Sequence, residues 1–313
     1  SLKDRLYTAK TDSILVSDLI KEDLEEKYTD FSERTRVLKT IDITKDVEDI
    51  TKKVSIKNTS FNVLISGMDS YGTINKTTRN DVNMIATINP NTNKVLLTSI
   101  PRDYYVQLHG KTGYKDKLTH AGIYGINTVV QTIEDLFGID INYYVRVNFT
   151  TVESLVNTIG PIEIYSDKAM SLDGCKYVVG TNTVNGKCAL RFARERHSYV
   201  EGDNHRIKNQ QEVIKGIFNK LSKSAMVVTD YTSILDSLDG KFATNMDMKD
   251  ITAFIKYELE DITKYEILDT QVTGTGSMEL TYSYPHQKLY VMFPSEQSVE
   301  SAKEYINKIS NEK

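Results

Sequence analysis

No run of about 18 or more apolar residues occurs in the 313-residue chain, and no basic n-region leads into an apolar h-region. The sequence therefore predicts neither a membrane-spanning helix nor a signal peptide. It opens on SLKDRLYTAK without an initiator Met, which predicts a soluble fragment whose upstream part has been removed. An excess of basic charge is also lacking: 39 Lys and Arg against 43 Asp and Glu leave a net charge of -4. That balance speaks against a general binder of nucleic-acid backbone, so any anion site must be a local pocket. The five histidines form no metal constellation, because His197 and His205 have no third ligand at zinc spacing. No GxSxG, no P-loop, no Cys/His nucleophile pattern and no GxGxxG after a strand is present, so covalent catalysis through Ser or Cys has no support. Cysteine is scarce. Cys175 and Cys188 flank a segment rich in Gly, Asn and Thr, of hairpin or loop character. They either face each other in a disulfide, which suits an oxidising compartment, or are two unrelated thiols.

What is present is an ordinary globular composition, 26% charged and 39% hydrophobic, in a chain long enough for one large core or two domains. Its charge concentrates between Ala189 and Glu212, ALRFARERHSYVEGDNHRIKNQQE. Cys188–Arg196 reads as a strand, so Arg194 and Arg196, two apart at its end, project from one face. A helix predicted from Asp203 to Lys223 sets Asp203, Arg206 and Gln210 at i, i+3 and i+7, on one stripe. Arginine carries a planar fork of donors that takes phosphate oxygens two at a time, so this convergence suits a multiply charged phosphate group. The same residues also suit a solvated face of local ion pairs.

In chain order, Thr11–Lys27 has the spacing of an amphipathic helix and Thr35–Ile43 that of a strand. Together they predict the remnant of a small accessory domain, with Asp46–Asn58 as linker. From Ser60 the texture changes. Phe61–Gly67 is a continuous apolar run suited to burial on both faces, and Val82–Asn89 with Lys94–Ile100 reads as a hairpin around an Asn-Pro-Asn tip. Helices are predicted over Gly122–Phe137, stopped by Gly138, and over Thr150–Ile159. Strands are predicted at Tyr143–Asn148, Ile162–Tyr165, Tyr265–Val272 and Leu289–Phe293, and a last helix at Ser298–Ile309. Helices and strands alternate, so the expected class is α/β with α+β character: a central mixed sheet with helices on both faces. The expected division is residues 1–57 as partial accessory domain and linker, and 58–313 as one catalytic domain.

Charged residues cluster at predicted strand ends, where ligands of open sheets gather. Asp69 follows the first buried strand, Asp81 precedes the second, and Arg79 lies two residues earlier. Two carboxylates at one rim repel each other unless a cation lies between them, and hard oxygens beside phosphate favour Mg²⁺. Read singly, each is as well explained as a turn or cap residue. Arg102 and Asp103 close the third strand. Arg102 is a fourth arginine aimed at an anion, Asp103 either orients it or acts as a base, and Lys117 adds a cation or is a surface lysine.

The segments FNVLISGMDS, TRNDVNMIATINPNTNKVLLTSIPRDYYV, KLTHAGIYGINTVVQTIEDLFGIDINYYVRVNF, VNTIGPIEI and NGKCALRFARERHSYVEGDNHRIKNQQEVI, in that order, resemble the LytR-CpsA-Psr family of cell-wall glycopolymer transferases. Residues 1–57, most of all TyrThrAspPheSerGluArgThrArgVal, resemble the end of the accessory domain of some streptococcal capsule-assembly members. The resemblance implies an extracellular enzyme of Gram-positive bacteria, held to the membrane by an N-terminal anchor. It would move a glycopolymer, here capsular polysaccharide, from a polyprenyl pyrophosphate carrier onto a peptidoglycan hydroxyl. By motif position, Asp69 and Asp81 would bind Mg²⁺, with Mn²⁺ as substitute. Arg79, Arg102, Arg194, Arg196, Arg206 and Gln210 would hold the pyrophosphate, and an apolar groove the polyprenyl tail. Asp103 and Asp203 are the candidate general bases. Rival expectations are hydrolysis of the lipid pyrophosphate and a non-catalytic lipid-sensing module.

Overall fold

A computed structural model of the chain describes residues 51–313, apart from 57, 73, 75–76, 200–202, 224–233, 235–236, 248 and 252–264. The helix expected over Thr11–Lys27 and the strand over Thr35–Ile43 lie outside the described residues. Everything below belongs to the unit Thr51–Lys313. Its elements run β1 (Phe61–Met68), β2 (Asn80–Asn89), β3 (Lys94–Ile100), α1 (Ile126–Phe137), β4 (Tyr143–Val147) and α2 (Phe149–Ile159). Next come β5 (Ile162–Ser166), β6 (Met170–Leu172), β7 (Cys175–Tyr177), β8 (Gly180–Val184), α3 (Gly186–Arg194) and α4 (Asp203–Lys223). The chain closes with β9 (Ala243–Thr244), β10 (Glu266–Gln271), β11 (Gly274–Thr281), β12 (Tyr284–Pro294) and α5 (Glu296–Asn311).

The apolar run of β1 places it inside the central sheet, whose order is β9-β4-β1-β2-β3-β10. β1 is antiparallel to β2 and parallel to β4, β2 is antiparallel to β3, and β10 is parallel to β3. Both sheet faces are covered, as a sequence without polar alternation demands. On one face Phe61, Val63, Met84, Ala86, Val95 and Leu97 form a core joined by Ile214 and Phe218 of α4. The alternate residues Leu64, Ile85 and Leu96 are also fully buried, and α5 lies against β2 and β3.

Local signals fix the helix ends. Gly138 stops α1 at φ 63°, a left-handed position that a side chain would strain. Asn148 starts α2 through a reciprocal capping box with Thr151. The expected helix over Gly122–Phe137 is broken: Leu118–Ala121 and Gly122–Tyr124 form short turns, and α1 begins after Gly125, at φ 104°.

The expected strand over Cys188–Arg196 is a helix instead. Asn185 caps α3 by accepting from the Cys188 N–H at 3.0 Å, and Ala189, Leu190 and Phe192 are buried. Together, the cap and an apolar face at helical rather than alternating spacing outweigh the strand-like composition. The strand expected at Leu289–Phe293 lies within the longer β12, and its unexpected partner β11 makes with it a separate two-stranded antiparallel ribbon. Of the two readings of the cysteines, the bridge is formed, with Cys175 and Cys188 Cα atoms 5.5 Å apart. It ties β7 to the first turn of α3.

Candidate active site

The strand pairing brings the charged strand ends to one rim. Met68 at the end of β1 faces Asn80 at the start of β2, and Asn83 faces Ile100 at the end of β3. Asp69, Asp81 and Arg102 therefore meet although 33 residues of sequence separate the outer pair. The parallel strand β4 ends at the same rim, with Gly67 beside Val147, and delivers Asn148 and Phe149 there. The C-terminal end of α3 and the first turns of α4 complete the enclosure.

The result is a half-open cleft of about 530 Å³. Asp69, Asp81, Arg102, Arg194, Arg196, Arg206 and Gln210 all line it. The rest of the lining is largely apolar, including Ile65, Val82, Val152, Leu190, Val213 and Ile214. Polar donors and a greasy wall thus share one space.

Pairing within the cleft holds the charges in place. The Arg102 guanidinium lies 3.1 Å from Asp81, whose same oxygen accepts from the Thr119 hydroxyl at 3.0 Å. On its other side the Arg102 Nε is 3.8 Å from Asp103, and Asp103 in turn accepts from Lys117 Nζ at 2.7 Å. Asp103 is outside the cleft lining and braces Arg102 from behind, while Lys117 braces Asp103. Arg194 lies 3.8 Å from Asp69, and its guanidinium carbon sits 4.1 Å over the Phe149 ring, a cation–π contact. Arg196 reaches the cleft from the extended segment after α3 and donates through Nε to His197 at 3.4 Å. Arg206, in the first turn of α4, is buried.

Two of the expected residues stand apart. Arg79 is exposed and donates to the Tyr284 hydroxyl at 3.2 Å instead of reaching the cleft. Asp203 is the first residue of α4, and its side chain lies outside the described residues. Sequence reasoning missed Arg191, Phe149 and Thr119. Arg191 lines the cleft and pairs with Asp173 at 2.9 Å. A helical reading of α3 would have found it, since Arg191 and Arg194 are three apart and share a face.

Asp69 and Asp81 line one cleft and present two hard carboxylates, a donor set whose chemistry fits Mg²⁺. Among the described residues no three His, Cys, Asp or Glu side chains converge, so a closed all-protein cage is not what these residues offer.

Behind the rim, Asp116 is completely buried. It accepts from His120 Nδ1 at 2.6 Å and from the Ser283 backbone N–H and hydroxyl at 2.9 and 2.5 Å. Burial alone would raise its pKa. The hydrogen bonds from His120 and Ser283, the charge of His120 and the Lys117 N–H outweigh burial and hold it below its ordinary value.

The sequence and the architecture both have counterparts. A model of the LytR_cpsA_psr family matches residues 27–304. A polyisoprenyl-teichoic acid–peptidoglycan teichoic acid transferase, TagU of Enterococcus faecalis, is 32% identical over 255 residues, 79% of this chain and 82% of its own length. TagU of Bacillus subtilis is 34% identical over 231 residues, 72% of each chain. The crystal structure of Lin1025 from Listeria innocua superposes with a TM-score of 0.66 at 29% identity, covering 82% of this chain and all of that one. With the family match spanning most of the sequence and the strand-end charges gathered in one cleft, this chain belongs to the LytR_cpsA_psr family.

Proposed function

We infer that this chain is a transferase that moves a glycopolymer from a polyisoprenyl pyrophosphate carrier onto a peptidoglycan hydroxyl. The observation that carries this reading is one cleft, in which five arginines, Arg102, Arg191, Arg194, Arg196 and Arg206, share a space with Gln210 and a largely apolar wall. A pyrophosphate with a lipid tail is the ligand whose two halves match those two halves. The transferase name of the TagU relatives supports the same reaction class. Capsular polysaccharide is the polymer we propose, acting at the extracellular face of the membrane.

The acceptor hydroxyl oxygen attacks phosphorus and releases its proton to solvent, forming a new P–O bond as the bridging P–O bond breaks, and the carrier leaves as polyisoprenyl phosphate. Negative charge grows on the leaving phosphate, so catalysis rests on positioned cations more than on a covalent intermediate. Arg102 and Arg206 take the phosphate oxygens, and Arg194, over the Phe149 ring, and Arg196 close the cradle. Asp69 and Asp81 would hold Mg²⁺, which when bound would neutralise phosphate charge. The start of α4 adds the partial positive charge of a helix N-terminus.

The test is transfer of a polyisoprenyl pyrophosphate glycan to purified peptidoglycan. Arg102→Ala and Arg206→Ala should each lower turnover by about 100-fold or more, with the melting transition of at least Arg102→Ala retained. EDTA should abolish turnover and Mg²⁺ restore it. Full activity in both variants would remove the arginines from the reaction. Release of free glycan regardless of acceptor would make the protein a hydrolase.

A further inference from the structure

The reaction inferred above uses Arg102, Arg194, Arg196 and Arg206 on phosphate and leaves the fifth arginine of the cleft, Arg191, without a task. We propose that Arg191 and its partner Asp173 recognise the first sugar of the donor, the pyranose bonded to the carrier pyrophosphate. The proposal rests on the function inferred above and adds a donor-sugar subsite to it.

Four carboxylates line the cleft: Asp69, Asp81, Asp173 and Glu195. Asp69 and Asp81 are the proposed Mg²⁺ donors. Glu195 accepts from the Ser198 backbone N–H at 2.7 Å. Asp173 is left, and its partner is Arg191 at 2.9 Å. With side chains 64% and 38% exposed, this pair adds little to the stability of the fold. Nor does Asp173 extend the metal site, because among the described residues no three His, Cys, Asp or Glu side chains converge.

The donor has three parts, and chemistry assigns the pair to one of them. A carboxylate repels a pyrophosphate, and an isoprenoid tail gains nothing from either charge. A pyranose carries neighbouring hydroxyls that each donate and accept, so a carboxylate beside a guanidinium satisfies two at once. Ser171, two residues before Asp173, also lines the cleft and adds a third polar group.

Position agrees with chemistry. Arg191 precedes Arg194 by three helical residues, about 4.5 Å along the axis of α3. Arg194 holds phosphate in the inferred reaction, and the first pyranose is joined to phosphate through a single oxygen. The acceptor is a saccharide too, but only the donor sugar is tethered there.

The fold presets the pair. Asp173 and Gly174, at φ 47° and 86°, are the two central residues of the β6–β7 hairpin, between the paired Leu172 and Cys175. Two left-handed residues match the twist of the flanking strands, so the tip holds one shape. Cys175 is bridged to Cys188, three residues before Arg191, so the bridge and the ion pair share one face of α3. A sugar arriving here meets groups already in place, which lowers the entropy lost on binding.

Calorimetric titration of the chain in the presence of Mg²⁺ tests this, with geranyl pyrophosphate and with geranyl pyrophosphoryl glucose, galactose and N-acetylglucosamine. The wild type should bind at least one sugar compound about tenfold or more tightly than geranyl pyrophosphate. Asp173→Gly, which suits the left-handed backbone at that position, and Arg191→Gln should each erase that preference. A wild type that binds all four compounds alike would overturn the proposal, as would variants that keep the preference. Equal losses for the bare and the sugar-bearing pyrophosphates would also overturn it, by making the pair a clasp between hairpin and helix. So would weakened retention on purified peptidoglycan with the donor preference intact, which would give the pair to the acceptor. Failure of the wild type to bind geranyl pyrophosphate at all would instead sink the transferase reading, and the subsite with it.

Discussion

Arg102 shows how one side chain is tuned from two directions. Asp81 meets it from within the cleft and Asp103 from behind, and Lys117 neutralises Asp103. On this geometry we propose that Asp103 positions Arg102, its charge acting through the arginine it orients. Asp103→Asn should lower kcat by about tenfold through misplacement, leave the fold intact, and shift the pH–rate profile little, since no proton passes through it. A steep loss of the basic limb of that profile would instead make Asp103 the base. Asp116 carries a prediction about stability. Its folded pKa lies below the ordinary carboxylate value, so the unfolded chain binds the proton more readily. The stabilisation is fully present above the ordinary carboxylate range and is lost as pH falls through the folded value. Denaturant midpoints should therefore drop more steeply for the wild type than for Asp116→Asn as the pH falls below about 5, with the gap between them narrowing.

At the scale of the element, α3 decides how many arginines the cleft receives. Read as a strand, the segment presents Arg194 and Arg196 together. As a helix it presents Arg191 and Arg194 together, and Arg196 arrives from the extended segment that follows. The Asn185 cap and the Cys175–Cys188 bridge both act on the first turn of this helix. The bridge also ties α3 to the β6–β7 hairpin, whose Leu172 and Asp173 form the opposite wall of the cleft. Closing a loop of this length restricts the unfolded chain by about 3 kcal/mol. Cys175→Ser/Cys188→Ser should lose roughly that much in chemical denaturation, and should weaken substrate binding because the two walls are no longer joined. An unchanged denaturation midpoint would mean that core packing alone holds α3 in place.

For the whole molecule, the decisive feature is a cleft that ends in charge on one side and in the sheet-and-helix core on the other. Ile65, Val213 and Ile214 belong at once to the packed interior and to the cleft wall, so the lipid half of the site is an extension of the core. Carriers with progressively shorter isoprenoid tails should therefore bind more weakly, by about 0.8 kcal/mol for each CH₂ withdrawn from the wall, until the tail no longer reaches it. Binding that is indifferent to tail length would assign the apolar wall to the core alone.

The sequence by itself determined the central strands, the ends of the helices stopped by Gly138 and Gly160, the α4 face that carries Arg206 and Gln210, and the family. These follow from local periodicity, from stop signals read within a few residues, and from short motifs in a fixed order. It misassigned Cys188–Arg196 as a strand, because short apolar runs with charges between them satisfy both periods until a cap and a buried face choose. Nor could it join Ser283 to Asp116, or separate Arg79 from the other arginines. Those outcomes depend on which strand ends the antiparallel and parallel pairings bring to one rim. Register acts across tens of residues, and only the folded sheet sets it.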